Sequence, residues 1–213
     1  VDPTGFNRFL SYHDFLFPTH LAGFLNVTPR IVGGYRNYSN FDIAGSDTFE
    51  STTAHAGSDI SFKMSKHSPN VINRKLGLDG LLHVVRPYLN YSLVRTDEIT
   101  GRFTPVDRFT PTTRLRPIDM PLFTTMDDLR DWQIIRAGLS QRWFTKRNGT
   151  SYEWLSLNNY IELYPEDPEF DRDTSNLFTE VDWRPVPWLR ASTVAQFPLF
   201  DETLDFTEVS SNI

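Results

Sequence analysis

The sequence predicts an all-β chain: an antiparallel transmembrane β-barrel wall of about nine strands, part of a larger barrel. Three observations carry that expectation. Apolar residues recur with a period of two and scarcely anywhere with the helical period. Most alternating stretches are roughly ten residues long, the length a tilted strand needs to cross a bilayer. Their links alternate between short and long, as in barrels with short periplasmic turns and long outer loops.

The first stretch is FNRFLSYHDFLF (6–17). The next, FLNVTPRIVGGYRNYS (24–39), sets Leu25, Val27, Ile31 and Tyr35 against Asn26, Thr28, Arg30 and Arg36. AHAGSDISFKMS (54–65) opposes Ala54, Ala56, Ile60, Phe62 and Met64 to His55, Asp59, Ser61 and Lys63. LLHVVRPYLNYSLV (81–94) has Val85, Leu89, Tyr91 and Leu93 on one face, with Arg86, Tyr88, Asn90 and Ser92 on the other. WQIIRAGLSQRWF (132–144) sets Ile135, Ala137, Leu139 and Trp143 against Arg136, Gly138, Ser140 and Arg142. SYEWLSLNNYIELY (151–164) does the same with Leu155, Leu157, Ile161 and Leu163 against Trp154, Ser156, Asn158, Tyr160 and Glu162. SNLFTEVDW and WLRASTVAQF place Glu180, Asp182, Arg190, Ser192 and Gln196 on the polar side, and ETLDFTEV is the last stretch.

Short links are expected at 18–19, at 145–150 around Asn148 and Gly149, and at 184–188. Long polar links are expected at 37–50, 95–130 and 165–174, with an intermediate one at 65–80 in a short-link position. The one candidate helical turn is TTMDDLRD (124–131).

A soluble sandwich also alternates. The polar face here is furnished with Arg, Tyr, Asn, Ser and Asp, which suits a wet interior. Tyr35, Tyr38, Trp132, Trp143, Tyr152, Tyr164, Trp183 and Trp188 lie near stretch ends, where an interfacial aromatic girdle sits. Arg30, Arg36, Lys63, Arg86, Arg136, Arg142 and Arg190 are candidates to line a lumen and to contact lipid phosphate or carboxylate groups. The competing reading pairs them with Asp59, Glu162, Glu180 and Asp182 to stiffen the wall. Pro29 and Pro87 interrupt two strands and predict a kink, a bulge or weakened pairing there.

Composition excludes several classes. The net charge of −6 argues against an extended nucleic-acid surface. The absence of cysteine removes disulfides, thiolate metal sites and a cysteine nucleophile. No apolar run is long enough for a transmembrane helix, no signal peptide is visible, and both ends read as internal to a longer chain. No nucleophile elbow, phosphate loop or zinc spacing occurs, so no enzyme activity, cofactor or metal is expected. The acidic run DPEFDRD (167–173) lacks the glycine and closing glutamate of a calcium loop and reads as a solvated loop. The Asn-x-Ser/Thr triplets at Asn26, Asn37, Asn90 and Asn148 follow from strand composition.

Several motifs in fixed order resemble the barrel of the LptD/OstA family of lipopolysaccharide-assembly outer-membrane proteins. His83, Pro87 and Tyr91 match one family strand. Phe123, Asp127, Asp128 and Arg130 approximate the element closing the long loop that follows, and Arg136, Gly138, Leu139 and Arg142 match the re-entering strand. LFTEVDWRPVPWLRAST is similar to a later strand–turn–strand of that family. The likeness covers roughly residues 20 to 200. It implies a bacterial outer-membrane translocon inserting lipopolysaccharide into the outer leaflet, supplied by a periplasmic Lpt bridge and plugged by an LptE-like lipoprotein. It also implies that residues 1–213 form part of one barrel domain. The family's periplasmic jelly-roll and terminal barrel strands, with the lateral gate, would lie outside this segment. The alternatives are a diffusion porin or gated receptor barrel, and a soluble carbohydrate-binding β-protein.

Overall fold

The computed structural model describes residues 7–43, 46–97, 115, 129–166, 172–200 and 206–213, with the side chains of 40–47 left aside. Among them there is no helix. The strands are β1 (Asn7–Leu16), β2 (Thr19–Leu21), β3 (Leu25–Ile43), β4 (Ser46–Phe62), β5 (Met64–Asn73), β6 (Leu78–Thr96), β7 (Trp132–Arg147), β8 (Thr150–Glu166), β9 (Leu177–Val186), β10 (Leu189–Phe197) and β11 (Glu208–Asn212). All belong to one antiparallel sheet ordered β1-β3-β4-β6-β7-β8-β9-β10-β11, with β2 on β3 and β5 on β6. β2 continues β1 along β3 in one register, and β5 continues β4 along β6 in one register. The eleven segments are therefore nine strands in a simple meander, and β1 and β11 leave the sheet open.

Tight turns at Ala22–Phe24, Arg74–Gly77, Asn148–Gly149 and Pro187–Trp188 gather at one end of the sheet. Residues 44–45, 97–131, 167–176 and 198–207 make the connections at the other end. The asymmetry matches expectation, with three corrections. The first reversal is at Ala22–Phe24 rather than 18–19. The stretch 37–50 is strand up to the pair Ile43↔Ser46, with an irregularity in the ladder between Ser39 and Ile43. Most of 65–80 is likewise hairpin, turning only at Arg74–Gly77. The Asn148-Gly149 turn places both residues at positive φ, 49° and 79°, as a two-residue hairpin loop requires. Residues 124–128 of the expected helical turn lie outside the described residues, and Leu129–Asp131 carry no helix.

Neither interior proline produces a bulge. Pro87 pairs with Leu139 on one side. On its other side the ladder stops after Ser61↔Tyr88 and resumes at Met64↔Val85 without a slip. Pro29 sits likewise beside the break between β1 and β2, where the Phe17 amide donates to the Pro29 carbonyl at 3.0 Å. A missing amide donor has opened a gap in the adjacent strand and left the register alone.

The register sorts side chains into two faces. Leu25↔Phe62, Ile60↔Leu89, Ala137↔Ile161 and Leu157↔Val181 share the apolar face. Thr28↔Asp59, Asn90↔Arg136 and Arg136↔Glu162 share the polar one. On the apolar face Ile31 and Leu89 are 58% and 39% exposed, whereas on the polar face Arg36 and Glu162 are 0% and 2% exposed. Two tyrosines lie flat on the polar face over glycines. A Cβ at Gly138 would strike the Tyr88 ring, and one at Gly34 the Tyr12 ring. Tyr88 thereby reaches past β7 and donates to Asn158 Oδ1 on β8 at 3.1 Å. Gly138→Ala should destabilise the fold by about 1–3 kcal/mol through overpacking, measured as a lowered urea midpoint. Tyr88→Ala in the same chain should restore part of the loss.

Candidate functional site

Strand pairing lays the polar face out in rows. One row runs Thr28, Asp59, Asn90, Arg136 and Glu162 across β3, β4, β6, β7 and β8. In it the Asn90 amide donates to Asp59. Arg136 Nε donates to Glu162 Oε1 at 2.8 Å, its guanidinium lies 5.3 Å from the Tyr160 ring, and Tyr164 donates to Glu162 Oε2 at 2.7 Å. Tyr160 donates in turn to Glu180 at 2.9 Å and stacks on Phe178 at 5.5 Å.

The other lumen candidates fall on this face too. Arg30 forms an ion pair with Asp14 at 3.6 Å. Arg36, fully buried, donates to Ser51 Oγ at 2.6 Å and Thr96 Oγ1 at 2.7 Å. Arg142 donates to Glu153 at 2.6 Å and lies over the Phe144 ring. Arg190 and Arg184 donate to the two oxygens of Asp182 at 2.6 and 2.7 Å. Arg86 is exposed with its guanidinium 5.5 Å from the Tyr88 ring, and Lys63 is exposed at the β4–β5 break opposite it. Neither has a carboxylate partner among the described residues. Cross-strand pairing thus holds for Glu162 and Asp182, while Asp59 and Glu180 accept from Asn90, Asn158 and Tyr160 instead of arginine.

The motif residues are divided between faces. Pro29, His83, Pro87 and Tyr91 lie on the apolar side, where His83 stacks on Trp143 with centroids 4.4 Å apart and Tyr91 accepts from Gln133 at 3.3 Å. Arg130 precedes β7, and Asp127 and Asp128 lie outside the described residues, as does most of the acidic run 167–173. The girdle expectation needs correction. Tyr35, Trp143 and Trp183 occupy the apolar face, but strand parity turns Tyr38, Trp132 and Tyr164 to the polar face, where they are buried.

Trp132 and Tyr164 belong to a cluster that composition did not reveal. Val32, Val94, Leu129, Trp132, Ile134 and Tyr164 pack together on the polar face near its loop end, with Tyr12 against them. Beneath them Trp132 Nε1 donates to Ser92 Oγ at 2.9 Å, and Ser92 Oγ lies 3.1 Å from Nε2 of buried His55. Just past β6, the Thr52 amide and hydroxyl each donate to Asp97 at 2.7 Å and hold its carboxyl below the usual range.

The chain matches no family model, and no curated protein matches it.

Glu162→Gln should cost about 3 kcal/mol of unfolding free energy by stranding the part-buried Arg136. Asp182→Asn, whose arginine partners are more exposed, should cost no more than about 1 kcal/mol. Thr52→Val should raise the Asp97 pKa, followed by NMR titration. Because the folded value is depressed, this contact contributes stability above the ordinary carboxylate pKa. It is lost as pH falls through the folded value.

Proposed function

We propose that this chain is a wall segment of an outer-membrane β-barrel, with hydrocarbon against the apolar face and a polar passage along the other. One observation carries the reading. From His83 to Leu93 on β6 the apolar face has no Asp, Glu, Lys or Arg. The same holds at the facing positions of Leu25–Tyr35, Thr52–Phe62, Gln133–Trp143 and Leu155–Leu163. Charge returns only at the ends: Lys66 on the turn side, and Arg95, paired with Glu166 at 2.7 Å and Asp131 at 3.7 Å, on the loop side. Ten residues at ~3.4 Å, tilted by ~40°, rise about 26 Å, close to the ~25 Å apolar band of an outer-membrane barrel. The turn-side boundary of this band is a row of His83, Trp143, Leu155 and Trp183, the aromatic composition of an interface. An apolar patch of this extent exposed to water would drive association.

Within such a wall the function proposed is insertion of lipopolysaccharide into the outer leaflet, the activity implied by the LptD/OstA resemblance. The arginine-rich polar face supports it, since guanidinium groups offer paired contacts to phosphate and carboxylate. Transport would need no cofactor in this chain. The plug lipoprotein and periplasmic bridge are partners proposed on the same resemblance. A pore remains the second reading, favoured by Leu129, which packs into the cluster on the polar face just ahead of β7.

Leu89→Arg tests the membrane reading: it should weaken folding into liposomes by about 2–4 kcal/mol, with Arg86→Ala tolerated. A protein that stays in water without detergent and is indifferent to Leu89→Arg is a soluble sheet. Depleting the full-length protein in cells should lower surface lipopolysaccharide and leave small-solute uptake unchanged. Lost uptake with normal surface lipid would establish the pore instead.

A further inference from the structure

The β5–β6 hairpin leaves the plane of the sheet before it turns. Pairing of β6 with β7 ends at Leu82↔Phe144, the β5–β6 register shifts between Ser68 and Ile72, and Gly80 takes φ 73°. Beyond Gly80 the hairpin crosses side chains of β7 and β8. Strand parity from Trp143 puts Thr145, Arg147 and Tyr152 on the apolar face. There the Asp79 amide donates to Thr145 Oγ1 at 2.8 Å, and Thr145 Oγ1 donates to the Gly80 carbonyl at 2.9 Å. Trp154 Nε1 donates to the Leu76 carbonyl at 3.0 Å, and Trp154 meets Trp183 edge-on at 6.1 Å. Arg147 lies over the Tyr152 ring and donates to the Pro185 carbonyl on β9, and a Cβ at Gly77 would strike its guanidinium. The hairpin tip is therefore fastened across the apolar side of β7 and β8, as far as β9. An Asx turn sets its own shape: Asn73 Oδ1 accepts from the amides of Lys75 and Leu76 at 3.1 and 3.2 Å.

Leu78 is buried beneath the tip, but Ile72 is 66% exposed, and Val71 and Leu76 are exposed with it. Arg74 and Lys75 stand exposed between them, and Lys66, opposite His83, is exposed on the same face. Asp79 is the one carboxylate between Lys63 and Arg86, in a protein of net charge −6. We propose that this tip is an interfacial anchor: Val71, Ile72 and Leu76 enter the turn-side leaflet, and Arg74 and Lys75 contact anionic phospholipid headgroups. The inference rests on the membrane reading of the apolar face and adds to it a contact with the bilayer surface, outside the lumen. Depth agrees with it. Thr145, which carries the tip, lies two residues past Trp143, about 5 Å of rise, within the ~5–8 Å of a headgroup layer. Such a layer satisfies exposed apolar residues interleaved with cations, offering hydrocarbon on one side and phosphate on the other. Water would leave Ile72 and Leu76 uncovered, and hydrocarbon alone would leave Arg74 and Lys75 unsolvated.

Bimane attached through Leu76→Cys in the full-length protein tests the contact, in liposomes containing brominated phosphatidylcholine or brominated phosphatidylglycerol. The same label at Leu89→Cys reports the apolar face, and the parent protein treated with bimane supplies the background. Labels at 76 and 89 should both be quenched. At 76 brominated phosphatidylglycerol should quench about twofold more than brominated phosphatidylcholine, against about equal quenching at 89. Adding Arg74→Gln and Lys75→Gln should bring the ratio at 76 to about one. Heat-modifiable electrophoretic mobility shows that each variant is folded. An unquenched label at 76 beside a quenched one at 89 would overturn the anchor, leaving the tip to water or to a protein partner. Equal quenching by the two lipids at 76, or a ratio that the double substitution leaves unchanged, would overturn the headgroup contact. An unquenched label at 89 would instead sink the membrane reading, and the anchor with it.

Discussion

The whole arrangement depends on strand register. Side chains on a strand alternate, so a slip of one residue exchanges the faces of everything beyond it. Between Leu25↔Phe62 and Ser39↔Thr48, and between Leu82↔Phe144 and Val94↔Trp132, no slip occurs. Were β7 displaced by one position, Arg136 would stand where Ile135 stands, its charge on the apolar side and Glu162 stranded. The penalty falls on every pair in a row at once, so these long ladders tolerate proline yet keep their register. Where slips do occur they are near strand ends, as between Trp143 and Phe144 or Ser68 and Ile72.

Given that register, the polar face solves two problems together. Its arginines are mostly engaged by side chains from neighbouring strands, which makes a charged surface compatible with burial. The tyrosines over Gly34 and Gly138 fill the space above the sheet and carry hydrogen bonding beyond the adjacent strand. The apolar cluster around Trp132 covers the same face near the loop end, so its character changes along the strands: cation-rich at the turns, networked at mid-height and greasy near the loops.

The number of strands, their order, the two faces and the end-to-end asymmetry were legible because each rests on local alternation or on turn chemistry such as Asn148-Gly149. Strand length was underestimated. The ends of β3 and β4 and the stretch Ser65–Asn70 of β5 are mostly polar and offer little hydrophobic contrast between alternate positions. Face assignment by residue type failed for Tyr38, Trp132 and Tyr164, since an aromatic ring suits an interface or a packed interior equally well. The pairing of Arg136 with Glu162 was anticipated; that of Arg142 with Glu153 was not, because a bulge between Trp143 and Phe144 brings Glu153 round.

The two proline gaps have a mechanical consequence. Each interrupts the ladder on one side only, at Phe17–Pro18 beside β3 and at Lys63 beside β6, while β3–β4 and β6–β7 pass the same heights unbroken. Local opening of the sheet is expected first at those two gaps, where a proline offers its neighbour no amide, while the rows of paired charges keep their register above and below.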